Sequence, residues 1–539
     1  MKKKTDVFLL LALGIISFFV TMLFALYGVD SHHDGIMLKT AMDVANGKAL
    51  YRESFYQYGY LVALIQAVFV KIFGEYLWAV HLSTVVMYTI SYCVIFLIAK
   101  RYMNRICAFF ICLSILAVGP FYTWDFLPWS NVFGLCFLIC CLYSTLLLIE
   151  TKKKIYISFM AIWAAFAFWS KLPIGAVVYL ALFLLFVIFL VSKRYMHVWK
   201  KYISLFLIST MIVFAVFLII LFCQGALRDW WIQTMSFAVD FAVQRSVSPS
   251  APVSGGETVS GLMIFMEKTY SFLQTVLGDL FSYSYSPIEC MVAISNLVFF
   301  AVYLRRVIIQ IVAKSKINQI DMELLCFSMF ALASWSQYYP VVCIRHIFWG
   351  QFPMIALMGV GIYRMFSKLS NKEGFLVGSF TIIVVLFVQL PIIRENVVNG
   401  YSKLTAPVYY VTDSHYHYLD GIRMDQEEVL FYSDAETILY DLQQRYPEKK
   451  LLNVSQLNLF SCYSDVNLGV LYSLYGAGVY AYVEEWNRYI EENRPIIIYD
   501  KRDEAINLDE YRLFHLIEGD RGFEVLDGDV GIYLHKSDG

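Results

Sequence analysis

Asp30 and Asp34 stand four residues apart in YGVDSHHDGIM (27–37), directly after an apolar run long enough to cross a bilayer. If the chain stays helical there, the two carboxylates share one face about 6 Å apart. If it breaks at Gly35, they line a loop at the membrane surface. Neighbouring carboxylates raise one another's pKa, and a low dielectric raises both. A carboxylate tuned in this way can take a proton from a hydroxyl. The plainer reading is a polar helix cap at the interface. His32 and His33 flank the acids, and the four side chains could hold a divalent ion. Adjacent residues rarely bind one ion together, and no third distant ligand is evident. No cofactor is therefore expected, with a divalent metal as the alternative.

Three further places carry chemistry-bearing residues. Asp125 lies in FYTWDFLPW among Tyr122, Trp124 and Trp129. Either this is an interfacial aromatic belt with one solvated acid, or it is a sugar subsite in which the acid binds hydroxyls and rings stack on the sugar. Lys171 in FAFWSKLPIG, and Arg345 with His346 in VVCIRHIFW, each stand at a tight turn between apolar runs. A cation there is costly unless it snorkels or finds an anion. That anion is either lipid head groups in general or one phosphate on a polyprenyl carrier. Arg offers it a bidentate fork and Lys a point charge.

The elements that must position these residues follow from composition. Of 539 residues, 59% are hydrophobic and 16% charged, and the mean hydropathy is +0.61. Soluble domains hold about 25% charged residues, so a bilayer is the solvent this chain expects. A net charge of −1 implies no nucleic-acid partner. The eleven cysteines form neither a zinc-type spacing nor a disulfide framework. The basic start MKKKTDVFLLL is read as a retained first span, because its apolar run is too long for a signal peptide.

Apolar runs near 7–27, 77–99, 106–119, 130–149, 155–170, 172–192, 203–223, 287–304, 322–338, 347–364 and 374–393 give about eleven transmembrane helices. With the N-terminus cytoplasmic, the basic loops 100–105, 151–154, 192–201, 304–316 and 363–372 all fall inside. The opening stretch, the loop 119–129, the long loop 224–286, the turn at Lys171, the turn 337–346 and everything after about 394 then face outside. Residues 1–393 form a membrane domain. Residues 394–539 are polar and read as a small extracytoplasmic α/β domain. PIIIYD (495–500) and VGIYLHK (530–536) predict its strands; 434–446 and 479–493 predict its amphipathic helices. The Ser-, Pro- and Gly-rich stretch 246–261 predicts mobility. No GxxxxGK[ST] nucleotide loop occurs, so a transferase here needs an already activated substrate.

Residues 30–74 then read as one unit: a helix after the acids, a turn at ANGKALYRE, and a second amphipathic helix in YGYLVALIQAVFVKIFG. This unit resembles the first outer loop of the C-type membrane glycosyltransferases (GT-C). That superfamily includes the protein O-mannosyltransferases, the lipid A aminoarabinose transferases and bacterial enzymes that modify cell-surface glycans. Ala41, Gly47, Tyr51, Gly59, Phe73 and Gly74 fit its pattern. The resemblance covers roughly residues 7–393 and implies roles position by position. Asp34 matches the catalytic acid, with Asp30 as the alternative. Asp125 matches the second acid, Lys171 with Gly175 the lysine turn, and Arg345, His346 and Pro353 the later cationic turn. Tyr122 and Trp124 would line the sugar site. The chain departs from the family at Asp34-Gly35, where many relatives have Asp-Glu, and at Gln57–Tyr60, where several have Lys-Pro-Pro.

What the resemblance implies is a multi-pass cell-membrane enzyme. It would move a hexosyl or pentosyl group from a polyprenyl-phosphate-linked sugar to a glycan, lipid or protein acceptor outside the membrane, with inversion. Few outer cysteines and compact loops suit a bacterium, and a monomer is the default expectation. Cell-wall or surface polysaccharide is the expected setting. A transporter or flippase of lipid-linked saccharides is the first alternative, although transporters place polar residues at mid-membrane. A non-catalytic assembly subunit is the second.

Overall fold

The computed structural model describes residues 2–191, 196–236, 287–338, 344–370, 375–412, 415–455, 457–464, 466, 483–499, 506–517 and 530–538. The stretch 246–261 lies outside these, as does part of the turn 337–346. Within them all eleven expected spans are helical: α1 (Lys2–Ala25), α4 (Leu77–Ala99), α5 (Arg105–Ala117), α6 (Ser130–Thr151), α7 (Ile155–Ser170), α8 (Leu172–Val191), α9 (Met196–Cys223), α10 (Pro287–Val312), α11 (Gln319–Ala333), α12 (Ile344–Ser370) and α13 (Phe375–Thr405). Seven of the described helices are long and apolar enough to cross a membrane. The outward faces of α1 (Phe8, Leu11, Phe19) and α9 (Met211, Ile212, Ile219) are exposed. Only lipid would cover such faces without cost. The protein is a multi-pass membrane protein.

Two helices lie between α1 and α4: α2 (Ser31–Ala45) and α3 (Tyr60–Phe73). At about 1.5 Å per residue both are too short to span. α2 buries polar side chains over most of its length, among them Asp34, Lys39, Thr40 and Asp43. Asp43 accepts from Lys48 Nζ and Ser54 Oγ, each at 2.8 Å, and Lys39 lies 3.1 Å away. This paired network makes the buried charges tolerable.

After α13, which runs past residue 393 to Thr405, the chain forms α14 (Gln426–Arg445), α15 (Val483–Asn493) and a four-stranded sheet. The strands are β1 (Leu451–Asn453), β2 (Ile496–Tyr499), β3 (Tyr511–Ile517) and β4 (Val530–His535), in the order β1-β2-β4-β3. β1 and β2 are parallel; β4 runs antiparallel to β2 and β3. Alternate residues point to opposite faces. Ile496, Ile498, Ile532 and Leu534 meet Ala435, Leu439 and Leu442 of α14. Leu452, Ile497, Tyr499 and Tyr533 meet Trp486 and Ile490 of α15. The predicted strands at 495–500 and 530–536 are present; β1 and β3 were not predicted.

The sheet domain is seated on the membrane helices. Val411, Leu419, Ile422, Met424, Leu459 and Cys462 belong to the same apolar core as α1–α4. Gly28 N–H donates to the Arg423 carbonyl and Arg423 N–H to the Leu26 carbonyl, both at 2.8 Å. Gly35 is helical, so the break that exposes the acids is not there. A Cβ at Gly35 would collide with the backbone of Asn458 and Leu459, so only glycine lets the turn Asn458–Tyr463 lie on α2. Lys39 Nζ donates to the Ser464 carbonyl at 2.7 Å, and Asn458 Nδ2 reaches His32 Nδ1 at 2.8 Å.

Candidate active site

The break between α1 and α2 occurs at Gly28, whose φ of 75° suits glycine and whose missing Cβ leaves room for the Asp125 carboxylate. Asp30 then caps α2: its Oδ1 accepts the His33 backbone N–H at 2.9 Å. Asp34 follows one turn later. Both acids therefore stand at the positive end of one short helix.

Their surroundings differ. Asp34 is fully buried, with Oδ1 2.9 Å from His81 Nε2 and Oδ2 accepting the Asp30 N–H at 2.9 Å. Burial raises its carboxyl to about 6, against the opposing pull of His81. Asp30 keeps 10% of its side chain exposed. Its Oδ1 meets His33 Nδ1 at 2.9 Å and its Oδ2 meets Arg345 Nη1 at 3.4 Å. Burial opposes its ionisation, but His33 and Arg345 outweigh that and hold the carboxyl well below its usual range.

The cations come from distant elements. Arg345 lies at the start of α12 with its guanidinium 5.5 Å from the Trp124 ring. Lys171 closes α7; its Nζ donates to the Asn131 amide oxygen and lies 5.9 Å from the Trp129 ring. The turn that carries it is held because Gly59 N–H donates to the Ser170 carbonyl at 3.2 Å, and a Cβ at Gly59 would collide with the Trp169 carbonyl. Trp129 is the hub. Its ring centroid is 4.2 Å from that of His33, 5.5 Å from His346, 5.9 Å from Trp349 and 6.2 Å from Tyr58. One continuous patch thus runs from Asp30 through His33 and Trp129 to Lys171, with Arg345 and His346 beside it. Beneath it, Ser130 and Asn131 are fully buried at the uncapped start of α6.

Asp125 borders this patch. Its carboxylate lies 3.8 Å from Lys403 Nζ, which also donates to the Trp124 carbonyl at 2.8 Å. Tyr122 does not join: its ring packs on Phe24 and Phe121, at 4.7 and 4.8 Å, against Gly400. The one-turn helix Pro120–Tyr122 aims the ring at α1. His32 is turned toward Asn458. Among the described residues no group of three or more His, Cys, Asp or Glu is placed to hold a metal. Sequence reasoning missed Trp129 as the hub, His81 as the Asp34 partner, and Lys403. Trp129 carried a signal: it follows Pro128 where α6 begins. His81 carried none, being a lone histidine in an apolar span.

The model of the dolichyl-phosphate-mannose-protein mannosyltransferase family matches residues 58–239, the stretch that holds Asp125, Trp129 and Lys171. The fold is shared with the oligosaccharyltransferase of Archaeoglobus fulgidus, solved with zinc and sulfate: TM-score 0.53 at 11% identity over 91% of this chain and 68% of that one. ArnT from Cupriavidus metallidurans in the apo state gives a TM-score of 0.49 at 12% identity, covering 100% of this chain and 99% of that one. The same protein bound to undecaprenyl phosphate gives 0.46 at 13% identity, covering 98% and 97%. No curated protein matches the sequence.

Proposed function

We propose that this GT-C domain transfers a hexosyl or pentosyl group from a polyprenyl-phosphate-linked sugar to an acceptor hydroxyl on a glycan, lipid or protein. The observation that carries the reading is the single patch around Trp129, where the Asp30–Asp34 pair meets Arg345, His346 and Lys171. The matching family is described by a donor of the same class, dolichyl-phosphate mannose. A carboxylate of the pair takes the proton of the acceptor hydroxyl, which positioned general bases accelerate by about 10²–10⁴-fold. The acceptor oxygen attacks the anomeric carbon as the bond to the phosphate oxygen breaks. One displacement inverts the centre. The leaving phosphate is a weak base and needs positive charge rather than a proton. Lys171, Arg345 and the N-terminus of α6 supply it. The carrier tail lies in lipid between spans, so the site belongs at the membrane rim.

The basic loops orient the molecule with its N-terminus cytoplasmic and residues 394–539 outside. We take the working unit to be a monomer. The test mixes purified protein with polyprenyl-phosphate sugars and acceptor, and follows acceptor-dependent release of free polyprenyl phosphate. Release with inverted product is expected. Binding or translocation of intact donor without release, across hexose and pentose donors, rejects the reading.

A further inference from the structure

The next inference rests on the transfer reading and concerns the division of labour between the two acids. His81 lies in α4 and is fully buried. Its Nδ1 is 2.6 Å from the Ala25 carbonyl oxygen. A carbonyl only accepts, so Nδ1 carries a hydrogen. Its Nε2 is 2.9 Å from Asp34 Oδ1. That contact needs one proton: an imidazolium facing a carboxylate, or an imidazole facing a carboxylic acid. In either form a single proton is held between them, bridging the end of α1 at Ala25 to the first turn of α2 at Asp34. Asp34 Oδ2 is engaged by the Asp30 backbone N–H. Both Asp34 oxygens are thus held by groups of the fold itself, whereas Asp30 holds its own helix with Oδ1 and directs Oδ2 toward Arg345 and the patch, where the partner is a long contact at 3.4 Å.

We infer that His81 and Asp34 share one buried proton and together fix the first turn of α2, so that Asp30 is the carboxylate that meets the acceptor. His81 and Asp34 are positioning residues. In the step itself, Asp30 Oδ2 takes the hydroxyl proton, the acceptor oxygen bonds to the anomeric carbon, and the electron pair of the broken bond leaves on the phosphate. The His81–Asp34 proton stays where it is. Arg345 pairs with Asp30 in the substrate-free protein, and the donor phosphate competes for that guanidinium, freeing Asp30 to act as base. The charged and titratable groups facing Asp30 are His33 and Asp34 on its own helix, Arg345 on α12, Asp125 before α6 and Tyr432 of α14. Those facing Asp34 are Asp30, His81, Tyr432 of α14 and Cys462 of the turn on α2.

Two measurements test this on the full-length protein. The first is kcat against pH, with a polyprenyl-phosphate sugar as donor. Asp30→Asn loses about 10²–10⁴-fold. Asp34→Asn loses only a few-fold, because an amide accepts from the Asp30 N–H and donates to His81 Nε2. Asp34→Asn leaves His81 neutral and the net charge of the pair at zero, so the acid limb stays in place, whereas His81→Gln strands the Asp34 carboxylate beside Asp30 and moves the limb to higher pH. A role in packing alone moves it in neither variant. If His81→Gln does not accumulate, Asp34→Asn carries the test. The second is ¹⁵N-histidine NMR without substrate, which needs no turnover. His81 Nε2 shows a held or shared proton in the wild type and becomes a bare acceptor in Asp34→Asn. Loss in Asp34→Asn as large as in Asp30→Asn, or an Nε2 signal indifferent to that substitution, overturns the inference. Absence of release by the wild type rejects the transfer reading instead, and the NMR result then accepts or rejects the shared proton by itself.

Discussion

The two ends of the helix bundle both gather charge, and they spend it differently. At the end that holds the basic loops, cations meet carboxylates across helices. Lys100 and Arg105 pair with Asp6 at 3.2 and 3.4 Å, and Arg101 reaches Glu150 at 2.8 Å and Glu323 at 3.3 Å. These pairs tie α1, α4, α5, α6 and α11 together. At the other end, Arg345 stands 3.4 Å from Asp30 over an indole, and Lys171 rests on an amide oxygen beside another. The first end uses ion pairs between helices as fasteners. The second pairs Arg345 with Asp30 at 3.4 Å and Lys403 with Asp125 at 3.8 Å, and sets Arg345 and Lys171 beside indole rings, an arrangement that lets an incoming anion compete for them.

Substitutions at the two ends should therefore separate activity from stability. The largest effect is expected for Arg345→Ala and Lys171→Ala. Each should lower kcat by about 10²–10³-fold, the range for removing one donor that stabilises developing charge, with melting temperature nearly unchanged. Equal activity in both variants would remove the distinction between the ends. Next comes Gly35→Val. Its side chain drives into the Asn458–Leu459 backbone, so overpacking should cost about 1–3 kcal/mol, read as a lower melting temperature and faster proteolysis after residue 405.

The pH dependence sharpens the picture. Burial raises Asp34 from 3.8 to about 6, so the folded protein holds a proton there that the unfolded chain has released. Stability should fall as pH rises from about 4 to about 6, and melting of Asp34→Asn across that window should lack this slope. The smallest effect belongs to Lys100→Ala. Its half-exposed pair with Asp6 is worth about 0–1 kcal/mol, and transfer should be unaffected.

How much of this was legible depended on range. The spans were readable because length and apolarity are properties of one segment, and α2 and α3 because their caps and glycines are local. β1 has only three residues, and β3 exposes Arg512, Leu513 and Phe514 in succession, so neither shows a period of two. The meeting of Asp30 with Arg345 could be anticipated from alternation of basic loops, since both fall at the same end. The ranking of Asp30 and Asp34 could not. It is set by His81, 47 residues from Asp34, whose neighbours in α4 are apolar. The packing of Tyr122 was hidden for the same reason: an aromatic beside an acid looks alike in sequence whatever its ring rests on.

The glycine at position 35 joins two parts that composition would separate. The turn resting there presses directly on the helix that presents both acids, so the domain built on the sheet braces that helix rather than hanging from the bundle as an appendage. On the proposed transfer reading, a binder that wedges beneath that turn would stop turnover without resembling sugar, lipid or acceptor.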